Sequence, residues 1–341
     1  MKTYLITGGA GFIGCNYAAR LLRRGERVIV YDNLSRPGTQ RNLDWLRETF
    51  ARGPLEYLRA DIGDFETLCA QTERADVIVH LAAQVAVTRS VSNPRQDFNV
   101  NALGTLNVLE AARRTDHGPV VIYASTNKVY GSLASIETQE SPTRYHQTQH
   151  PHGIGEEQPL DFYSPYGCSK GTGDQYARDY QRIYDIPTVV FRQSCIYGPH
   201  QLGAEDQGWV AWFMLAALSG KPITIYGDGK QVRDLLHVND LLDAYDLAIA
   251  NIARTAGEVF NIGGGPSRSL SIWSEFGPLL QALGVTLPVV RFRHWRQGDQ
   301  RVYVSDTRKL STQLNWKPAI ELQAGLGELL HSLKSQPPPQ G

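Results

Sequence analysis

The chain has 341 residues, and its 34 Lys and Arg balance 34 Asp and Glu, so the formal net charge is zero. This neutrality gives no general attraction to nucleic acid or to an anionic membrane, and we expect neither as a partner. No apolar run is long enough to span a bilayer and no signal segment precedes the first apolar run, so the expected compartment is the cytoplasm. The four cysteines lack metal-ligand spacing, and we expect free thiols and no metal site.

Short apolar runs alternate with helical patterns along the first half of the chain. The predicted strands cover residues 4–6, 27–31, 55–58, 77–81, 120–123 and 188–192. The predicted helices cover residues 16–24, 40–50, 65–72, 94–114 and 166–184. This repeated order predicts an α/β fold with a doubly wound parallel sheet, in which ligands bind at the carboxyl ends of the strands.

Two domains are predicted. Residues 1–190 form the sheet domain, and residues 191–333 mainly form a smaller C-terminal substrate-binding domain, with some segments returning to the sheet domain. Residues 131–162 are rich in Thr, Gln, His, Pro and Gly without periodicity, so we predict that they form an insert of the sheet domain, a loop over the active site. Residues 334–341 are rich in Pro and Gln and are predicted to be a flexible tail.

A glycine turn, TGGAGFIG, follows the first strand at residues 7–14. A strand, a glycine turn and a helix in this order predict a Rossmann-type dinucleotide site, because the glycines admit the pyrophosphate and the helix N-terminus donates N–H groups. The second strand ends at Asp32, where an acid accepts hydrogen bonds from the adenosine ribose and repels a 2′-phosphate. NAD is therefore favoured over NADP, although the nearby Arg36 keeps NADP as the minority alternative.

Tyr166 and Lys170 are four residues apart at the start of a predicted helix, which places them on one face. A nearby ammonium is expected to lower the pKa of a tyrosine from about 10 toward neutrality. Such a tyrosine takes a proton from a sugar hydroxyl as hydride leaves the same carbon. Thr126, at the end of a central strand, is expected to hydrogen-bond the reacting oxygen.

These motifs match a known family in order along the chain. They are the glycine turn, Asp32, residues 61–62, 80–83, 125–126, 129–131, 166–170, 197–199 and 227–240. Over nearly its whole length the chain resembles the extended short-chain dehydrogenase/reductases, in their nucleotide-sugar epimerase and dehydratase group. The resemblance implies a Rossmann-type fold, tightly bound NAD that is recycled within each turnover, a nucleotide-diphosphate sugar as substrate, and catalysis by Thr126, Tyr166 and Lys170. It also implies cofactor contacts from Tyr166 and Lys170 and from Gly8, Gly11, Phe12, Ile13, Gly14, Asp32, Asn33, Asp61, Ile62, Ala82, Ala83, Gln84, Asn99 and Ser125. Asn99 is expected to hold either the backbone or the cofactor beside Gln84.

The two residues after Thr126 help to distinguish the epimerases of this family from its dehydratases. Dehydratases of the family have Asp-Glu there, as the acid and base of water elimination, whereas this chain has Asn127 and Lys128. That block and residues 206–210, 229–234 and 299–302 are similar to those of the nucleotide-sugar 2-epimerases, which implies inversion at C2 through a transient 2-keto sugar. A 4-epimerase, a 4,6-dehydratase and a non-catalytic NAD-binding protein are the alternatives.

The substrate residues also follow from the resemblance. Arg233 and Arg296 are expected to bind the diphosphate, and Arg301 is a third candidate. Asn127 and Lys128 are expected to contact the substrate, and Cys195 occupies a position where related 4-epimerases carry a phosphate-binding Asn. The nucleotide base, CDP, GDP or UDP, and the exact hexose stay open. The resemblance implies a homodimer, with a tetramer as the alternative.

Overall fold

The computed structural model describes residues 1–296 and 298–335, so the predicted tail from residue 336 onward lies outside the described residues. The strands are β1 (Thr3–Thr7), β2 (Arg27–Tyr31), β3 (Leu55–Leu58), β4 (Val77–His80), β5 (Val120–Thr126), β6 (Gln139–Glu140), β7 (Tyr145–His146), β8 (Thr188–Gln193), β9 (Cys195–Tyr197), β10 (Ile223–Tyr226), β11 (Val232–His237), β12 (Val259–Ile262), β13 (Ser269–Ser271), β14 (Val290–Arg293) and β15 (Val302–Tyr303).

The helices are α1 (Phe12–Arg23), α2 (Thr39–Thr49), α3 (Phe65–Thr72), α4 (Val87–Ser92), α5 (Pro94–Phe98), α6 (Gly104–Arg113), α7 (Pro165–Tyr184), α8 (Trp209–Leu218), α9 (Val238–Ala250), α10 (Ile252–Thr255), α11 (Phe276–Ala282), α12 (Arg308–Leu314) and α13 (Leu322–Lys334). A π-helical turn at Asn99–Leu103 separates α5 from α6, within the single helix that the sequence predicts over residues 94–114. No helix among the described residues is both long and apolar enough to cross a membrane.

The chain divides into two compact units, and the first comprises Met1–Thr126, Ser164–Arg192 and Ala244–Phe260. Its seven-stranded sheet has the order β12-β8-β5-β4-β1-β2-β3, and β1 pairs in parallel with both β2 and β4. Because the chain adds β2 and β3 on one side of β1 and β4 and β5 on the other, right-handed crossovers place helices on both faces. The predicted Rossmann-type sheet is therefore confirmed.

The second unit comprises Asn127–Tyr163, Gln193–Asp243 and Asn261–Gly341. Within it, β11 pairs with β9, β13 and β15, and β10 pairs with β14. Its core packs buried side chains of α8, α11 and α13 against those of β10 and β11.

The insert differs from the sequence prediction, because residues 127–163 belong to the second unit rather than to the sheet domain. A 3₁₀ turn, Asn127–Tyr130, and the β6–β7 hairpin give it regular structure, and Val129, Leu133 and Ile136 pack in a small core with Tyr303. Arg144 donates to Glu275 at 2.7 Å. Composition alone does not reveal these contacts, because they join the insert to residues far along the chain.

Candidate active site

The turn after β1 needs glycine at two positions. Gly8 has a φ of +70°, and a Cβ there would lie 2.7 Å from the backbone nitrogen of Ala82. A Cβ on Gly14 would lie 2.5 Å from the carbonyl oxygen of Gly8. Both distances are too short for a side chain, so β1, α1 and the loop after β4 approach each other closely only with these glycines.

The N-terminus of α1 supplies unpaired donors. Gly11 precedes Phe12 and provides no side-chain cap, so the first N–H groups of the helix lack a capping partner among the described residues. Free N–H groups at the positive end of a helix dipole suit a pyrophosphate. This geometry fits the dinucleotide that the sequence predicts here, with Phe12 and Ile13 as backbone donors.

Asp32 lies at the end of β2, where its carboxylate accepts the N–H groups of Ala10 at 3.0 Å and Leu34 at 2.8 Å. Burial raises its pKa, and these hydrogen bonds act in the opposite direction. Asn33 donates to the Asp61 carboxylate at 2.6 Å. The carboxylate oxygens of Asp32 retain lone pairs for ribose hydroxyls, as predicted for an adenosine site.

The loop after β4 is held by Asn101. The N–H of Gln84 donates to Asn101 at 2.9 Å, and the Asn101 amide donates back to the carbonyl oxygen of Gln84 at 2.9 Å. Gln84 also donates to the buried Asp97 at 2.8 Å. The sequence prediction gave a backbone-holding role to Asn99, but the side chain of Asn99 is exposed and Asn101 performs that role. As a cofactor contact, Asn99 stays a prediction.

Tyr166 and Lys170 lie in the first turns of α7, whose N-terminus is capped by the Ser164 hydroxyl, which accepts the N–H of Gly167 at 3.2 Å. Both side chains are buried, with Tyr166 8% and Lys170 4% exposed. Thr126 hydrogen-bonds the Tyr166 side chain. The three predicted catalytic residues thus belong to one unit, two of them on one helical face.

The ammonium of Lys170 lies 4.4 Å from the centre of the Tyr123 ring. Among residues 1–296 and 298–335, its side chain has no hydrogen-bond acceptor. Ribose hydroxyl oxygens would supply acceptors for this ammonium. Like the uncapped N-terminus of α1, the ammonium of Lys170 is therefore suited to bind NAD.

The direction expected for the pKa of Tyr166 is wrong. Burial raises the pKa of Tyr166 to about 12, the Thr126 hydrogen bond opposes the rise, and the charge of Asp97 adds to it. Burial also lowers the pKa of Lys170 to about 7, against the charges of Asp174 and Asp97. Spacing alone places the pair on one face but does not reveal that both groups are desolvated.

Asp174 lies on the same face of α7 as Lys170, one turn further along the helix, and has no exposed surface. Its carboxylate accepts two guanidinium hydrogen bonds from Arg192, both at 2.9 Å, and the Ser125 hydroxyl at 2.7 Å. Ser125, a predicted cofactor residue, is thereby fixed beside Thr126. The sequence prediction missed Asp174, although its i+4 spacing from Lys170 was visible.

In the second unit, Lys128 and Arg233 share the carboxylate of Asp299. Arg233 donates to Asp299 Oδ1 at 2.7 Å, and Lys128 Nζ lies 3.7 Å from the same oxygen. Burial acts to raise the pKa of Asp299, but the two cations outweigh it and keep the pKa below its usual value. Burial lowers the pKa of Lys128, opposed by Asp299. Two predicted substrate residues are thus brought together.

The remaining predicted substrate residues are more dispersed. The Arg296 guanidinium lies 4.0 Å over the Tyr226 ring, and that of Arg301 lies 5.2 Å from the Tyr145 ring. Cys195 accepts the Trp209 indole N–H at 3.4 Å, and burial raises the pKa of its thiol. Asn127 is buried at the start of its 3₁₀ turn. Their predicted contacts with a substrate stay predictions.

The doubly wound sheet, its glycine turn and the Thr, Tyr and Lys set define a protein that performs hydride chemistry with a bound dinucleotide. Comparison with known proteins specifies the class. The NAD dependent epimerase/dehydratase family matches residues 4–263, and the chain belongs to that family.

Full-length relatives extend the match. The chain is 43% identical over 334 residues to CDP-paratose 2-epimerase from Salmonella typhi, covering 95% of this chain and 97% of the relative. It is 32% identical over 337 residues to UDP-glucose 4-epimerase from Mycolicibacterium smegmatis, covering 98% and 99%. The solved dTDP-glucose 4,6-dehydratase DesIV from Streptomyces venezuelae, with NAD bound, has a TM-score of 0.83 and 31% identity, with 97% of each chain covered. The chain is an isomerase of the epimerase type, and NAD is its cofactor.

Proposed function

We propose that the chain inverts carbon 2 of a nucleotide-diphosphate hexose, of the CDP-paratose and CDP-tyvelose type, through a transient 2-keto sugar. The observation that carries the proposal is the pair Asn127 and Lys128 directly after Thr126. An amide and a partly buried ammonium cannot replace the two carboxylic acids that water elimination needs in related dehydratases. The 43% identity to a CDP-paratose 2-epimerase supports the choice of carbon.

In the proposed reaction, the Tyr166 oxygen takes the proton of the C2 hydroxyl, and Thr126 hydrogen-bonds the reacting oxygen. Bound NAD would supply the hydride acceptor for C2 and the hydride donor for the opposite face of the sugar. Tyr166 then gives the proton back to the oxygen on C2, so atoms and electrons balance over one turnover. Positive charge from Lys170 and from bound NAD is proposed to lower the pKa of Tyr166, which burial raises to about 12.

The second unit is proposed to bind the nucleotide diphosphate. Arg233 presents a planar fork suited to two phosphate oxygens, and Lys128 lies on the same carboxylate, Asp299. Lys128 is also proposed to donate to the substrate, including the 2-keto oxygen. Arg296 is proposed as a further phosphate contact.

The test is to incubate the enzyme with CDP-, GDP- and UDP-glucose or -mannose in ordinary and deuterated water and to locate the inverted carbon by NMR. Inversion at C2 without solvent deuterium is expected, since the hydride returns from the cofactor. Inversion at C4, or formation of a 4-keto-6-deoxy sugar, would refute the proposal. The Tyr166→Phe variant should retain NAD but lose nearly all turnover.

We also propose a homodimer. Apolar side chains on α4, α5, α7 and the π-helical turn are exposed, with Phe98 at 55% and Ile183 at 62%. Exposed clusters of this kind commonly mark protein interfaces. Light scattering behind size-exclusion chromatography should give twice the chain mass of 37.9 kDa. A single-chain mass would refute the dimer.

A further inference from the structure

Asp97 is a buried acid that the proposed mechanism does not use. It lies in the first turn of α5 and is 1% exposed. Its Oδ1 accepts the side-chain amide N–H groups of Gln84 at 2.8 Å and of Asn101 at 3.1 Å, and its Oδ2 accepts the Ser169 hydroxyl. Burying a charged group is costly unless donors compensate it, so this acid depends on the three donors and holds them together.

Two of these donors belong to the cofactor side of the first unit. Gln84 lies in the loop after β4, where its amide also donates to the carbonyl oxygen of Ala86 at 2.9 Å and accepts the Ala86 N–H at 2.7 Å. Asn101 lies in the π-helical turn and is paired with the Gln84 backbone in both directions. Asp97 is thus bonded to both side chains that fix the loop predicted to contact the cofactor.

The third donor belongs to the catalytic side of the same unit. Ser169 lies in α7 between Tyr166 and Lys170 and is 3% exposed. Its hydroxyl accepts the Asn101 amide at 3.1 Å and lies 3.2 Å from the carbonyl oxygen of Tyr166. Through Ser169, Asp97 joins the predicted cofactor loop to the helical turn that carries the Tyr and Lys side chains.

The charge of Asp97 also acts on this catalytic pair. Burial raises the pKa of Tyr166 to about 12, the Thr126 hydrogen bond opposes the rise, and Asp97 adds to it. Burial lowers the pKa of Lys170 to about 7, and the charges of Asp174 and then Asp97 oppose the decrease. Removal of the Asp97 charge is therefore expected to lower both pKa values.

The other titratable groups around the pair are paired or neutral. Asp174 accepts from Arg192 at 2.9 Å in a buried ion pair. Burial lowers the pKa of His80 to about 3 and raises the pKa of Tyr123, so both rings are neutral. Among the residues that the structure describes, no Lys, Arg or His forms a salt bridge with Asp97. Its charge therefore acts on the pair without a compensating cation.

We propose that Asp97 is a positioning residue of the epimerase reaction, which holds Tyr166 at a fixed distance from the predicted cofactor loop. An epimerase transfers a hydride and a proton twice in each turnover, first away from the sugar and then back. The loop and Tyr166 must keep one arrangement through both transfers, because small displacements of reacting groups are costly in rate. The inference rests on the proposed function, which gives Tyr166 its role, and applies to inversion at any ring carbon.

The Asp97→Asn variant tests the inference, because it keeps the shape of the side chain and removes its charge. The holoenzyme should release NAD about 10-fold faster than wild type, since the loop after β4 loses a charged acceptor. Exchange of bound NAD for isotopically labelled NAD, followed by mass spectrometry, measures the rate. Asp116→Asn is the matched control, because Asp116 is an exposed acid of the same unit. Its exchange rate should equal that of wild type.

The pH profile separates positioning from a loss of stability. With a nucleotide sugar that the wild type inverts, both limbs of the kcat profile of Asp97→Asn should move to lower pH, by about 1 unit. KM should stay near that of wild type, because every hydrogen-bond partner of Asp97 belongs to the first unit, whereas the predicted diphosphate residues belong to the second. A variant that is only less stable would lose activity without a shift of either limb.

Ser169→Ala keeps the charge of Asp97 and removes the link to α7. Its kcat should fall about 10-fold, with both limbs of the pH profile unchanged. The inference requires all three results: a wild-type rate of NAD release or unmoved limbs in Asp97→Asn, or a wild-type kcat in Ser169→Ala, would overturn it. If Asp97→Asn fails to fold, Ser169→Ala decides. A wild type that inverts no nucleotide sugar would overturn the proposed function, and the rate of NAD exchange would then decide the role of Asp97.

Discussion

The Arg192–Asp174 ion pair in the first unit provides a stringent test of how the site is held. Asp174 has no exposed surface, and Arg192 is 3% exposed. Asp174→Asn removes the carboxylate that accepts two hydrogen bonds from the buried Arg192 guanidinium, and it weakens the acceptor of the Ser125 hydroxyl. Breaking one half of a buried ion pair costs about 3–5 kcal/mol of stability. Arg192→Gln should cost a similar amount, because it leaves the carboxylate of Asp174 uncompensated.

The double variant Asp174→Asn/Arg192→Gln removes both buried charges together. Its loss of stability should be smaller than the sum of the two single losses by about 2 kcal/mol or more, since neither charge is then left unpaired. Urea unfolding of the holoenzyme in saturating NAD measures all four proteins. Losses that add within about 0.5 kcal/mol would refute the view that the two groups compensate each other.

The same variants should move the pH dependence of turnover in opposite directions. Burial lowers the pKa of Lys170 to about 7, and the charges of Asp174 and Asp97 oppose this decrease. The nearby His80, which stacks on Tyr123, is neutral because burial lowers its pKa to about 3. Asp174→Asn removes a negative charge and leaves Arg192 uncompensated, so the pKa of Lys170 falls and the alkaline limb of kcat moves to lower pH. Arg192→Gln has the opposite sign and should move that limb to higher pH. A general loss of structure would not move the alkaline limbs of the two variants in opposite directions. A shift of both alkaline limbs in the same direction would contradict this prediction.

Three further substitutions test other parts of the site. Gly8→Ala introduces a Cβ at 2.7 Å from the Ala82 nitrogen and should abolish retention of NAD, measured as cofactor in the purified protein; full retention would contradict the turn geometry. Lys128→Met should lower kcat about 10- to 100-fold through loss of a partly buried donor to the substrate, with the exposed Lys317→Met as control, and an unchanged kcat would remove Lys128 from the site. Arg233→Lys keeps the charge but loses the guanidinium fork, so KM should rise about 10-fold, and an unchanged KM would exclude the diphosphate contact.

Local patterns in the sequence were sufficient for the cofactor side of the molecule. The glycine turn and Asp32 depend on short-range geometry, which spacing specifies, and the i, i+4 relation of Tyr166 and Lys170 follows from helix periodicity. The structure changed the assignment from Asn99 to Asn101 because the helical face that meets the Gln84 loop is decided by tertiary packing around a π-helical turn. Helical periodicity in the sequence cannot distinguish two positions that lie only two residues apart.

The substrate side required the structure. Asp299 pairs with Arg233 across 66 residues of chain and with Lys128 across a greater distance still, and no local pattern indicates such pairs. The composition of the insert suggested an irregular loop, whereas Arg144 and the residues around Leu133 attach it to the second unit. Spacing does not reveal desolvation, which is why the expected direction of the Tyr166 pKa was wrong.

The first unit leaves polar groups that its own residues do not satisfy, at places that a dinucleotide would reach. Within residues 1–296 and 298–335, the N–H groups at the start of α1 have no side-chain cap, and the ammonium of Lys170 has no hydrogen-bond acceptor. A ligand that supplies acceptors at both places, and that binds only the folded chain, stabilises the fold. Binding of NAD and stability of this unit are therefore coupled, and the coupling favours retention of the cofactor between turnovers. An epimerase needs such retention, because the hydride that leaves the sugar must return to the same sugar.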